Sequence, residues 1–392
     1  MTNTPLAPDP IPLLETLVAF DTVSSNSNIA LIDWSANWLD QAGFRTTVQQ
    51  SPDGKHANLF ASIGPDDVPG VILSGHSDVV PVQGQPWTTD PFKLTPRGNR
   101  LLARGSADMK GFIGCVLAQA PLFASLKLRQ PIHVALTYNE ETDMSGMQQL
   151  TELIRGATVT PAACIIGEPT SMQVVVANKG AAIWEVNIRG YSVHSSLRDQ
   201  GVSAVEVAAE MIAYLNKLQK ELNEAERHDG FDFPFSSVHA GMIHGGTAHN
   251  ITAQDCQFVF EIRALPGIDA SDILKRLQTY CDRELLPAMR AIHPDCAIDI
   301  VEIVNSPGLA DVGNKNLAQA IMPLCNCLDV GRVSFGTEAG WVTQAGVPTV
   351  VCGPGQINVA HQPDEYVEVD QLQQCMAFLE KVGHRATDTV LT

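Results

Sequence analysis

The stretch Gly70–Asp78, GVILSGHSD, opens with an apolar run, Gly70 to Leu73, and closes on a histidine and an aspartate. Two later stretches repeat the form: His133 to Tyr138 runs into NEET, and Ala163 to Ile166 runs into GEPT. Near-continuous apolar runs of this length suit strands buried on both faces of an α/β sheet. Between the first two lies Met109 to Leu126, where Ile113, Val116, Leu117 and Ala120 recur at helical spacing. In open α/β sheets, ligands sit beyond the carboxyl ends of the strands. Each of the three runs carries its histidine or acidic residues at that end.

Outward from this core the texture changes near Ala181. A strand (Ala182 to Ile188), a long amphipathic helix (Val202 to Arg227), strands at Ser237 to His244 and Gln257 to Ala264, a helix (Asp269 to Leu286) and a strand (Ala297 to Val304) follow in order. That order, βαββαβ, is the split-βαβ pattern of a two-layer sandwich. Helical and β patterns then alternate again, with Thr349 to Val351 leading into GPGQINVAH. Residues 181–302 are therefore expected to interrupt a first domain made of 1–180 and 303–392.

Composition excludes several classes. The chain has 392 residues, 45% hydrophobic and 17% charged, with no low-complexity tract or fixed-period repeat, so a large core is available and disorder is not the theme. A formal net charge of -18 argues against nucleic acid or an anionic membrane surface as partner. The nine cysteines are odd in number and form no CxxC pair, which reads as reduced, mostly buried thiols, with Cys325 and Cys327 structural. No basic segment followed by an apolar run marks the start, and no uncharged apolar run of about 18 residues occurs, so a soluble cytoplasmic protein is expected.

Five segments hold candidate metal ligands: His76 and Asp78 in SGHSD, Asp108 in RGSADMKG, Glu140 and Glu141 in YNEET, Glu168 in IGEPT, and His361 in NVAHQPDE. Taken singly, each is weak, because a lone histidine is usually a satisfied or surface residue and paired glutamates are usually a solvated turn. Their recurrence at strand ends, where side chains converge, raises the odds. His76 and Asp78, two residues apart, share a face if the strand continues, which suits a ligand with an orienting carboxylate. Of two adjacent glutamates beyond a strand, one can bind metal while the other stays free as a base. An oxygen and nitrogen ligand set suits zinc and admits Co²⁺ or Mn²⁺.

These segments resemble, in order and separation, the motifs of the co-catalytic zinc aminoacylases and carboxypeptidases, the M20 peptidases. The resemblance spans nearly the whole chain. It implies an α/β, zinc-aminopeptidase-like catalytic domain with a mixed sheet flanked by helices, interrupted by a ferredoxin-like βαββαβ lid and dimerisation domain. It makes Asp108 the carboxylate bridging two Zn²⁺ per subunit, with His76 and Glu168 completing one position and Glu141 and His361 the other. Co²⁺ is an accepted substitute. Asp78 becomes the orienter of His76, and Glu140 the general base acting on a water bridging the ions.

In the interrupting segment, His194 in GYSVHSS and Asn250 in TAHNIT match positions that reach the active site of the neighbouring subunit of a homodimer and stabilise an oxyanion. His244 and His249 read as ordinary surface histidines. Arg263, in FEIRALPG, matches the arginine that grips the substrate's free carboxylate. The implied substrate is a small N-acylamino acid. Desuccinylases of the family carry an arginine after the run matching FGTEAG, and none occurs here. Thr337 is expected to hydrogen-bond the substrate, and Glu338 to favour a cationic side chain such as that of ornithine. A succinylated diaminopimelate, a broader range of acylamino acids or dipeptides, and a metal-binding scaffold without catalysis are the competing readings.

Overall fold

The computed structural model describes residues 8–388. The described chain divides into two compact units: one holds residues up to Ala177 with Leu309–Arg332 and the chain from Thr337 onward, and the other holds Asn178–Gly308 and Val333–Gly336.

The first unit is built on a mixed sheet. From one edge its strands are Arg45–Gln50, Ala57–Ile63, Ile132–Thr137, Val71–His76, Ala163–Pro169, Thr349–Gly353, Val175–Asn178 and Gly331–Val333. Val71–His76 runs parallel to both neighbours, with Ser74 opposite Ala135 and Ile166, and Thr349–Gly353 is parallel to Ala163–Pro169. The carboxyl ends of four strands thus meet along one rim. The apolar runs are buried throughout, as strands covered on both faces must be.

The helix Lys110–Ser125 is buried at every residue from Lys110 to Ala120, packed between Pro10–Ala19 and Val369–Arg385. Its Phe112 fixes the approach to the rim. A Cβ on Gly167 would lie 1.9 Å from Phe112 Cγ, so only glycine leaves room for the ring beneath the residue preceding Glu168. Burying that phenyl contributes roughly 1.5–3 kcal/mol. All nine cysteines are free and seven are buried.

In the second unit, an antiparallel sheet has the order Ser237–Gly245, Asp255–Ala264, Gly180–Arg189, Ala297–Ser306. With the helices Ala204–Leu222 and Ala270–Tyr280, this is the ferredoxin-like βαββαβ arrangement. Ala204–Leu222 starts at an N-cap, Ser203 accepting from the Glu206 amide, and buries Val207, Ala208, Met211, Leu215 and Leu218 in a stripe. Trp184, Phe258 and Phe260 belong to the same core. The helix expected over 269–286 departs from regularity. It gives way to a π-turn at Cys281–Leu285 before Leu286–Ile292, because Pro287 has no N–H to continue the i→i−4 ladder. Among the described residues, no helix is long and apolar enough to cross a membrane.

Candidate metal centre

His76 ends its strand fully buried. Its Nδ1 lies 3.0 Å from the main-chain oxygen of Asp78 and 3.7 Å from the Asp78 carboxylate. The backbone oxygen is therefore what orients the ring, since an acceptor there places the proton on Nδ1 and frees Nε2. The Asp78 carboxylate serves the neighbouring loop instead. It accepts from Ser24 Oγ at 2.6 Å and from the amides of Glu140 and Glu141 at 3.1 and 3.3 Å. The glutamate pair beyond the strand Ile132–Thr137 is thereby tied to the end of the adjacent strand.

Asp108 stands before the helix Lys110–Ser125, and the peptide bond following it is cis. Its two oxygens face different imidazoles: Oδ1 is 3.0 Å from His76 Nε2, and Oδ2 is 3.3 Å from His361 Nε2. His361 Nε2 also lies 3.1 Å from Glu141 Oε2, and Glu168 Oε1 is 3.7 Å from His76 Nε2. Three groups of ligand atoms lie within 4.8 Å of one another: His76, Asp108 and Glu168; Asp108, Glu141 and His361; and His76, Glu140 and Glu141. Two of these share Asp108, one carboxylate serving two trios.

The electrostatics are unbalanced without a cation. Burial and the neighbouring carboxylates raise Glu140 and Glu168 well above the usual carboxyl range, and burial also raises Glu141. Burial works against ionised Asp108, but hydrogen bonds from His361 and His76 prevail and lower it. His76 is also disfavoured as a cation by burial, yet Asp108, Glu168 and Glu140 raise it well above its ordinary value, while Asp108 and Glu141 bring His361 to about 10. Protons are held where positive charge is missing. Glu168 Oε1 is buried without a hydrogen-bond partner. An orphaned carboxylate oxygen facing an imidazole, amid five carboxylates, fits a site for divalent cations.

Glu338 is buried nearby in the same unit. Its Oε2 accepts from Thr137 Oγ1 at 2.9 Å, its Oε1 has no partner, and burial raises its carboxyl to about 7. Thr337 is wholly buried and its hydroxyl accepts from the Ala339 amide.

The second unit holds the remaining candidates. His194 and Asn250 are both exposed and lie on adjoining segments, with the Ser195 amide donating to the Asn250 carbonyl at 3.0 Å. His194 Nδ1 is 2.8 Å from Ser196 Oγ, which leaves Nε2 outward. Arg263 projects from the half-buried face of Asp255–Ala264 and pairs with Glu261 at 2.8 Å. His244 and His249 are exposed.

A rim of strand ends carrying two trios of candidate ligand atoms around a shared carboxylate fits a metal-dependent hydrolase. The sequence pattern of peptidase family M20/M25/M40 matches residues 72–385, and the chain belongs to that family. The acetylornithine deacetylase of Buchnera aphidicola subsp. Acyrthosiphon pisum (strain Tuc7) is 34% identical over 368 residues, covering 92% of this chain and 93% of that protein. That of Klebsiella pneumoniae (strain 342) is 34% identical over 390 residues, covering 95% and 97%. An M20 family metallo-carboxypeptidase from Sulfolobus solfataricus has the same fold, with a TM-score of 0.76 at 15% identity over 97% of this chain and 100% of that one.

Proposed function

We propose that the chain removes the acetyl group from N2-acetyl-L-ornithine, giving L-ornithine and acetate, the deacetylation of arginine biosynthesis. The observation that carries the chemistry is the pair of Asp108 oxygens, 3.0 and 3.3 Å from two different imidazoles. The substrate rests on the 34% identity, over nearly the full length, to proteins named acetylornithine deacetylase. In this reading His76, Asp108 and Glu168 hold one Zn²⁺, and Asp108, Glu141 and His361 hold the second, with Co²⁺ able to replace either. Two bound divalent cations supply the positive charge that polarises an amide carbonyl and makes a nearby water acidic.

The chain's own groups do the rest. Glu140, not needed by either trio, takes a proton from the attacking water as its oxygen adds to the acetyl carbon. The same carboxyl returns that proton to the amine as the C–N bond breaks, and acetate remains. In the metal-free protein, burial and neighbouring carboxylates hold Glu140 above the usual range, and bound cations act against that rise.

Residues 181–302 act as lid and dimerisation domain between the catalytic segments 1–180 and 303–392. His194 and Asn250 donate to the oxyanion in the active site of a partner subunit in a homodimer, and their outward position supports this. Arg263 binds the substrate's α-carboxylate. Glu338 favours the cationic ornithine side chain. The protein is placed in the cytoplasm.

The test is hydrolysis of N-acetyl-L-ornithine, N-acetyl-L-methionine, N-succinyl-diaminopimelate and several dipeptides by one zinc- or cobalt-loaded preparation. The highest kcat/KM should fall on N-acetyl-L-ornithine, and Glu338→Gln should reduce its advantage over N-acetyl-L-methionine. A preference for the succinylated compound or for dipeptides would replace the substrate assignment. An unchanged preference in Glu338→Gln would remove that residue from it.

A further inference from the structure

His361 is the least secured of the five ligand candidates. Its side chain is 50% exposed, and its backbone lies at φ +63°, with Asp364 at +57°. Left-handed backbone costs a histidine about 1 kcal/mol or more, so a loop so built relaxes unless something holds it.

The segment 85–88 and the Arg104–Glu365 pair do the holding. Gln85 Nε2 donates to the His361 carbonyl at 2.9 Å. Gln85 Oε1 accepts from Arg104 Nη2 at 2.6 Å and from Trp87 Nε1 at 3.0 Å. Arg104 Nη1 donates to Glu365 Oε2 at 2.6 Å and to the Gln362 carbonyl at 3.3 Å. Glu365 Oε1 accepts from the amides of Ala107 and Asp108 at 3.0 and 3.2 Å. Thr88 adds two bonds to Asp364, at 2.8 and 2.6 Å. An unbroken chain of hydrogen bonds thus runs from the carbonyl of His361 to the amide of Asp108, the residues whose side chains meet at 3.3 Å.

The Arg104 and Glu365 side chains are at most 1% exposed. Such a pair is a poor source of stability, because desolvation cancels most of its attraction, and its best use is to fix geometry. The guanidinium suits this task, since its planar fork reaches Glu365 and Gln85 at once.

We propose that Gln85, Arg104 and Glu365 are positioning residues that preorganise the trio Asp108, Glu141 and His361, setting its affinity for a cation they do not touch. The inference rests on reading those three as metal ligands. Outer-sphere partners of this kind typically change metal affinity by about 10–100-fold.

The test titrates metal-free full-length protein with Zn²⁺ by calorimetry, alongside the melting temperature of each metal-free variant. Wild type should bind in two steps, and His361→Ala should lose one of them. Gln85→Leu should weaken that same step by about tenfold, with the other step changed by less than about twofold, and Arg104→Met/Glu365→Gln should weaken it by about a hundredfold, with a smaller loss on the other step because Asp108 is shared. If His361→Ala loses a step but both other variants keep wild-type affinities, or weaken both steps equally, the positioning role is overturned and the ligand reading stands. If His361→Ala keeps both steps, the ligand reading itself falls. Should the double variant not fold, Gln85→Leu decides alone, since it leaves the buried ion pair intact.

Discussion

In the first unit, His76, Asp108 and Glu168 come from separate strand ends and a helix start, each at most 5% exposed, with ligand atoms within 4.8 Å of one another. In the second, His194 and Asn250 are exposed. The first arrangement has a reason inside the chain: carboxylates taken out of water need positive charge, and two imidazoles do not supply enough. In the second, His194 Nδ1 accepts from the Ser196 amide at the start of Ser195–Gln200, which leaves Nε2 for the role proposed above. One region gathers buried charge, and the other displays exposed polar side chains that the proposed function uses as donors.

The hardest blow to this contrast is Glu140→Gln. It should lower kcat by roughly 10²–10⁴-fold while zinc binding stays intact, because Glu140 belongs to neither trio that shares Asp108. Loss of metal together with activity would make Glu140 a ligand instead.

On the other side, His194→Ala should cost roughly 10²–10³-fold in kcat without loss of metal. Mixed with Glu140→Ala, it should recover about a quarter of wild-type activity, since half the dimers are then mixed and one of their two sites is intact. Confirmed mixed dimers without recovery would place both residues in one chain's site.

A smaller effect follows from Arg263→Ala. Losing charge-assisted bonds of about 1.5–3 kcal/mol should raise KM roughly 10–100-fold, and the carboxamide analogue of the substrate should show no such penalty. Equal loss on both substrates would make Arg263 structural, consistent with its pairing to Glu261.

The smallest expected effect is a slope with pH. Glu338 rises to about 7 and His361 to about 10 in the metal-free protein, so the native state holds protons that the unfolded chain releases earlier. The stability they contribute is complete below their unfolded values and is lost as pH rises through about 7 and about 10. A cation held by His361 displaces that residue's proton, and its charge also favours ionised Glu338. The melting-temperature gain on zinc loading should therefore grow from about pH 5.5 to about pH 8, and a gain that shrinks with pH would contradict the charge argument.

The strand-end half of the centre was legible because the pattern is local. GVILSGHSD ends an apolar run on its histidine, and the structure places His76 at the last residue of Val71–His76. The βαββαβ order was legible too: the strand expected over Gln257 to Ala264 is Asp255–Ala264, with Phe258, Phe260 and Ile262 buried. The exposed edge strand Arg45–Gln50, RTTVQQ, lacks an apolar run, and its place follows from pairing with Ala57–Ile63. The strand Tyr366–Glu368 pairs with Arg100–Leu102, a contact between distant segments that no local spacing announces.

The same holds for Arg104, Glu365 and Gln85. The first two lie inside the motifs ARGSADMKG and AHQPDE, yet their pairing depends on a tertiary contact. For Asp78, a two-residue spacing suggested a carboxylate on His76, whereas the turn after the strand presents the main-chain oxygen and sends the carboxylate to the Glu140 loop. Spacing identifies the residue, and the loop decides which of its atoms is used.

The central claim is that one chain holds two metal ions around Asp108 and uses them to hydrolyse an acylamino acid. The most direct measurement adds Zn²⁺ stepwise to metal-free protein, counting bound ions per chain and the acetate released from N-acetyl-L-ornithine at each step. Two ions per chain are expected, with acetate release rising as they fill. Two bound ions without acetate release from any acylamino acid would contradict it and leave a metal-binding scaffold.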